Sequence, residues 1–225
     1  MIIAGFVKNS FVDYPGKIAS TVFTAGCNMR CWYCHNSHIL EISENKIEEE
    51  YVLNFLKERK GFIDGVVISG GEPTLQKDLK EFIKKIKDLG YLIKLDTNGS
   101  NYDVLKSLIN ENLLDYVAMD IKAPLNNYIK IINTKIDIDN VKKSILLLLN
   151  SNIDYEFRTT FSPDLSLEDI EEICKTIKGA KKYVIQKYNV VKFNKFNMEP
   201  RSKKDHINAK DIAKKYINNV IVKGI

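Results

Sequence analysis

The sequence predicts an α/β fold, a partial (β/α)6 barrel of parallel strands with outer helices. Three observations predict it. Short apolar segments alternate with amphipathic ones along the chain. Six such strand-plus-helix pairs are present, where a closed barrel takes eight and about 250 residues. No low-complexity linker or internal repeat breaks the series, so 225 residues read as one domain, 1–225, with 1–19 as an N-terminal extension packed on the core.

The strand candidates are 20–24, 65–69, 92–96, 116–120, 156–160 and 183–186. The spacing between them predicts parallel pairing through right-handed crossovers. The ends of the chain, 2–6 and 220–225, read as additional edge strands. The clearest helix places Leu79, Phe82, Ile83, Ile86 and Leu89 on one stripe within 76–89. Others are expected over 47–60, 102–113, 139–149 and 208–218. Ser166 and Asp169 have capping-box form and open a helix that runs to Ile177, with Gly179 as its stop.

Bulk composition bounds the function. The longest unbroken apolar run, 145–149, is far short of the roughly 20 residues that span a bilayer. The N-terminus has no basic start, long apolar stretch and cleavage site of a secretory signal, so a cytoplasmic protein without a membrane partner is expected. The net charge of +5 comes from 34 basic and 29 acidic residues. The lysines are spread along helices and no basic block is interleaved with aromatics, which argues against nucleic acid. Three of the four cysteines fall within eight residues. Clustered thiols in a reducing compartment read as metal ligands or redox groups rather than as a disulfide framework.

Strand 20–24 runs into Ala25-Gly26-Cys27-Asn28-Met29-Arg30-Cys31-Trp32-Tyr33-Cys34-His35-Asn36. The thiols therefore sit on a loop at the C-terminal end of the first barrel strand, where such folds place chemistry. Three thiolates satisfy three irons of a cubane cluster and leave the fourth open to an exogenous ligand. Other readings stand beside this one. Cys31, Cys34 and His35 have the spacing of a c-type haem attachment, which leaves Cys27 unexplained. A Cys3His zinc site is possible by ligand type, although Cys34 and His35 are adjacent and structural zinc usually draws a second ligand pair from elsewhere. A thioredoxin-type pair again gives Cys27 no role.

The other strand ends are polar. Strand 65–69 ends in Gly70-Gly71-Glu72, two glycines permitting close backbone approach beside a carboxylate. No Gly-Lys-Ser/Thr follows, so a phosphate loop is not expected. Strand 92–96 ends at Asp96 and Thr97, and strand 116–120 at Asp120, Ile121 and Lys122. Asp120 and Lys122 share a face because side chains repeat every two residues, and a rim ion pair is the plain account of them. Arg158 and Thr160 share a face of the next strand, and Gln186 ends the last.

Taken together, these residues resemble the radical S-adenosylmethionine (radical SAM) superfamily. The resemblance rests on Cys-x-x-x-Cys-x-aromatic-Cys at Cys27, Cys31, Tyr33 and Cys34, and on Gly70-Gly71-Glu72. Within it the chain is similar to the glycyl-radical-enzyme activating enzymes, especially activators of the anaerobic ribonucleoside-triphosphate reductase type. That likeness runs through Asp13 to Lys17, Phe23 to Cys27, Cys34 to Asn36, Asp115 to Pro124 and Glu156 to Thr160. Pyruvate formate-lyase activators carry Asp-Gly-Pro-Gly followed by Arg, where this chain has Tyr14 and then Lys17; this departure leaves the protein target open.

The resemblance implies a TIM-type partial barrel and one 4Fe–4S cluster held by Cys27, Cys31 and Cys34, with S-adenosylmethionine at the open iron. It places Tyr33, Cys34 and His35 along the adenine, and Gly70, Gly71 and Glu72 at the methionine ammonium. Asp96, Thr97 and Asp120 fall near the carboxylate or a small cation, with Ile121 and Lys122 beside them, and Arg158 and Gln186 are candidate carboxylate or ribose contacts. It implies a glycyl-radical enzyme as protein substrate and flavodoxin or ferredoxin as electron donor. A radical enzyme acting on a small molecule, such as a 7-carboxy-7-deazaguanine synthase-like enzyme, is the alternative within the superfamily. A zinc-binding module or an electron-transfer protein lies outside it. Cys174, inside a helix, reads as core packing.

Overall fold

A computed structural model of the chain describes residues 1–40, 46–190 and 198–225. Its strands are β1 (Ile3–Ser10), β2 (Ala19–Thr24), β3 (Gly65–Gly70), β4 (Leu92–Thr97), β5 (Tyr116–Asp120), β6 (Asp154–Phe161), β7 (Tyr183–Lys187) and β8 (Val220–Lys223). The helices are α1 (Glu49–Glu58), α2 (Leu79–Asp88), α3 (Tyr102–Asn110), α4 (Tyr128–Ile132), α5 (Ile138–Leu149), α6 (Leu167–Thr176) and α7 (Lys203–Ala213). The strands follow one another in chain order in an open eight-stranded sheet. All six expected barrel strands form, and both chain ends add a strand.

Contacts divide the chain into two compact units. The first comprises Met1–Cys27, Asn36–Thr97 and Asn101–Val117. Here β2 pairs in parallel with β3, and β3 with β4. Their near-continuous apolar runs, with Val22, Val66, Val67, Ile68, Ile93 and Leu95 fully buried, are what a parallel strand covered on both faces requires. Burying such a side chain contributes about 1.5–3 kcal/mol. Strand β1 pairs antiparallel with β2, tying residues of the N-terminal segment into the sheet. The predicted stripe of α2 is buried at Leu79, Phe82, Ile83 and Ile86.

The second unit comprises Asn28–His35, Asn98–Ser100 and Ala118–Ile225. Strand β6 pairs in parallel with β7, and β7 with β8. Helix α6 opens on the expected capping box, in which Ser166 accepts from the Asp169 backbone and Asp169 from that of Ser166. Cys174 is fully buried in this helix.

Two helices differ from expectation. The last one spans Lys203–Ala213 rather than 208–218, because a second capping box at Ser202 and Asp205 starts it earlier. Helix α4 was not anticipated, since five residues are too few for an apolar stripe to show in the sequence. Among the described residues no helix is long and apolar enough to cross a membrane.

Candidate cofactor site

In the first unit, the backbone leading to Cys27 and the turn after β3 lie directly against each other. The Gly71 amide donates to the Thr24 carbonyl and the Glu72 amide to the Gly26 carbonyl, each at 2.9 Å. A Cβ on Gly71 would lie 1.9 Å from the Gly26 oxygen, a distance no side chain tolerates. Gly70 has φ +117° and its carbonyl accepts from Asn36 Nδ2 at 3.1 Å. The paired glycines are therefore a requirement of backbone packing.

Glu72 is completely buried. Its Oε1 accepts from the Thr74 amide at 3.1 Å, the Thr74 hydroxyl at 2.6 Å and the Thr97 hydroxyl at 2.8 Å. The carboxylate thus joins the ends of β3 and β4. Asp96 accepts from Ser69 Oγ at 3.1 Å and pairs with Lys94, a lysine only 1% exposed.

In the second unit, Asp120 receives two cations. Arg158 Nε reaches Oδ1 and Lys122 Nζ reaches Oδ2, both at 2.8 Å. Burial by itself would raise the Asp120 pKa, but the two positive charges outweigh it and hold the carboxyl well below its usual range. Burial works against the Lys122 ammonium too, yet Asp120 and the neighbouring Tyr33 and Cys31 keep it firmly protonated. Ile121 is buried, its amide donating to the Arg158 carbonyl at 2.7 Å and its carbonyl accepting from Thr159 at 2.9 Å.

The same unit holds Cys31 and Cys34, and the Cys34 amide donates to the Cys31 carbonyl at 3.1 Å. Burial pushes the Cys31 thiol up, opposed by the Lys122 charge. Tyr33 is buried, its hydroxyl without a hydrogen-bond partner among the described residues. Burial and the Cys31 charge raise its pKa well above the ordinary phenol value. Trp32 packs on Tyr33 and Tyr188 and donates its indole N–H to Asp164. His35 is exposed.

The loop is anchored by a polar relay not foreseen from the sequence. Ser144 of α5 donates to the Gly99 carbonyl at 2.8 Å. Asn98 then donates to Asn28 Oδ1 at 2.9 Å, and Asn28 Nδ2 to Ser100 Oγ at 2.8 Å. Lys94 was also missed, although the two-residue spacing that paired Asp120 with Lys122 pairs it with Asp96.

None of the four cysteines forms a disulfide, and Cys27, Cys31 and Cys34 are partly exposed. Among the described residues no group of three or more His, Cys, Asp or Glu side chains is gathered for a metal ion.

Residues 21–177 match the model of the radical SAM superfamily. A protein of Methanocaldococcus jannaschii named as a glycyl-radical enzyme activating enzyme is 38% identical, across all of this chain and 96% of its own. The chain belongs to the radical SAM superfamily, in its glycyl-radical-enzyme activating branch. A pyruvate formate-lyase-activating enzyme of Clostridium pasteurianum is 29% identical over 82% of this chain and 81% of its own. Among solved structures, Streptococcus suis SuiB bound to its precursor peptide SuiA superposes with a TM-score of 0.73. At 15% identity it covers 91% of this chain, which spans about half of SuiB's length. That likeness establishes the fold, the open barrel of radical SAM enzymes.

Radical SAM enzymes use a 4Fe–4S cluster and S-adenosylmethionine, and the donor set here suits both. Three partly exposed thiols within eight residues of sequence are soft ligands of the kind iron–sulfur clusters take. The buried hydroxyl of Tyr33, near Cys31, has hydrogen-bonding capacity to spare for a cosubstrate.

Proposed function

We propose that this chain is a glycyl-radical-enzyme activating enzyme whose protein substrate is of the anaerobic ribonucleotide reductase type. In this reading Cys27, Cys31 and Cys34 ligate the cluster. Flavodoxin or ferredoxin supplies the electron, and the reaction takes place in the cytoplasm. The observation that carries it is the three-cysteine loop in a chain matched end to end by a relative of that name.

With a 4Fe–4S cluster and S-adenosylmethionine bound, the chemistry supplied is one-electron cleavage to methionine and a 5′-deoxyadenosyl radical, which takes a hydrogen atom from a glycine of the partner. The chain's own residues bind and orient. Gly70 and Gly71 offer backbone to the methionine ammonium, and Glu72 holds that turn through Thr74 and Thr97. In the first unit Asp96 is paired with Lys94, and in the second Asp120 is paired with Lys122; each aspartate is a candidate neighbour of the methionine carboxylate or a small cation. Lys122 and Arg158 supply positive charge there, with Ile121 as apolar backing. Tyr33, Cys34 and His35 line the adenine.

Anaerobic reconstitution with iron and sulfide, followed by reduction, tests the reading. A brown protein that releases 5′-deoxyadenosine and raises a glycine-centred paramagnetic signal in a co-incubated anaerobic ribonucleotide reductase is expected. A colourless protein that retains zinc would overturn it. Deoxyadenosine release with no glycine signal from any glycyl-radical enzyme would restrict it to small-molecule chemistry.

A further inference from the structure

Helix α4 meets the two parts of the second unit that the proposed function uses most. At its C-terminal end the Ile132 carbonyl accepts from the Arg30 amide at 2.9 Å, the backbone immediately before Cys31. At its first residue the hydroxyl of Tyr128, a fully buried side chain, faces the end of β5. That hydroxyl accepts from the Lys122 amide at 3.3 Å and donates to the Asp120 carbonyl at 3.4 Å. One phenol thereby spans both sides of the Asp120-Ile121-Lys122 arch, while the same five-residue helix holds the cysteine loop. Asn133, at φ +51°, ends the helix immediately after Ile132 and turns the chain away.

A five-residue helix has little stability of its own, so its placement depends on what it packs against. Tyr128, Ile131 and Ile132 are its buried residues. The phenol makes the polar contacts to the arch, and burial holds it in its neutral, hydrogen-donating form by raising its pKa. Its bonds are long, and its neighbours Lys122 and Asp120 are committed to an ion pair whose orientation follows the arch. Removing the hydroxyl leaves the ring in its pocket and frees the arch to shift against the loop.

We propose that Tyr128 is a positioning residue, which through α4 keeps the Asp120–Lys122 arch in register with the backbone that carries Cys31. Its hydroxyl acts on S-adenosylmethionine binding without touching it. The proposal rests on the reading of Cys27, Cys31 and Cys34 as cluster ligands.

The test compares wild type, Tyr128→Phe and Tyr91→Phe, each reconstituted anaerobically. Tyr91 supplies the control, since its hydroxyl donates to the Leu56 carbonyl at 2.6 Å, within the first unit. Iron content, the dissociation constant for S-adenosylmethionine and the paramagnetic spectrum of the reduced cluster with and without it are measured. Wild-type iron content in Tyr128→Phe, with roughly fivefold weaker S-adenosylmethionine binding and an altered cosubstrate-dependent spectrum, is expected. Tyr91→Phe should change neither binding nor spectrum. Affinity within twofold of wild type and an unchanged spectrum in Tyr128→Phe would overturn the proposal, and so would an equal loss in Tyr91→Phe. If wild type itself takes up no cluster, the ligand reading fails first and the proposal falls with it. Should Tyr128→Phe fold poorly, the smaller Tyr128→His, whose ring nitrogens can between them donate and accept, must restore at least part of the affinity.

Discussion

Arg158 Nε and Asp120 Oδ1 stand 2.8 Å apart, and Lys122 occupies the other oxygen of the same carboxylate at the same distance. One anion thus serves two cations from two neighbouring segments, β6 and the end of β5. Removing the anion costs more than removing either cation, because it leaves two charges facing each other.

Asp120→Asn is accordingly expected to destabilise the protein by about 2 kcal/mol, below the roughly 3–5 kcal/mol for a fully buried broken ion pair because all three groups retain some exposure. Lys122→Met should cost less, as Arg158 still answers the carboxylate. Chemical denaturation of the two variants checks the order. A Lys122→Met loss equal to or above that of Asp120→Asn would contradict it.

Acid sensitivity follows from the same group. Its native pKa lies below the unfolded value near 4, so the unfolded chain binds the proton more readily. The stabilisation is complete above about pH 5 and is lost as pH falls from there toward the native pKa. Wild type should therefore lose thermal stability more steeply below pH 5 than Asp120→Asn does. Parallel slopes in melting curves between pH 3 and 5 would remove this carboxyl from the account.

Gly71→Ala places a methyl group against the Gly26 carbonyl. Both sides are backbone, so neither can rotate away. A loss of about 3 kcal/mol is expected, with a thermal midpoint lower by roughly 6–12 °C for a chain of this size. Iron uptake on reconstitution should fall as well, because Cys27 follows Gly26 directly. A variant with wild-type melting and iron content would show that the loop can move aside.

Cys174 is fully buried in α6, and burial pushes its thiol up to about 12. Since the thiolate is the reactive form, maleimide at pH 7 should modify Cys27, Cys31 and Cys34 in the reduced, iron-free protein and spare Cys174 until denaturant is added. Mass spectrometry of the labelled protein gives the count. Native labelling of Cys174 would mean that α6 opens readily.

The strands and most helices were legible because parallel strands and amphipathic helices write their burial into residue order. The Asp120–Lys122 pair was legible for a different reason, as polar residues at an apolar strand end. What escaped notice depends on pairing across long separations. The relay from Ser144 through Gly99 to Asn28 joins small polar residues far apart in the chain, and no local pattern distinguishes them from loop surface. Lys94 escaped for another reason. It lies inside an apolar strand where a lysine is unexpected, and only Asp96 two residues on explains it. Glu72 was read as facing a ligand; its hydrogen bonds to Thr74 and Thr97 were not foreseen, because Thr97 is far from it in sequence.

The meeting of Gly71 with Gly26 has a further implication for how this protein can vary. Where two segments touch through side chains, evolution can adjust their separation by a methylene at a time. Here they touch main chain to main chain, and the spacing is set by the dimensions of the peptide unit itself. Any side chain at position 71 must push the two segments apart, so this one dimension is held only while that residue stays glycine.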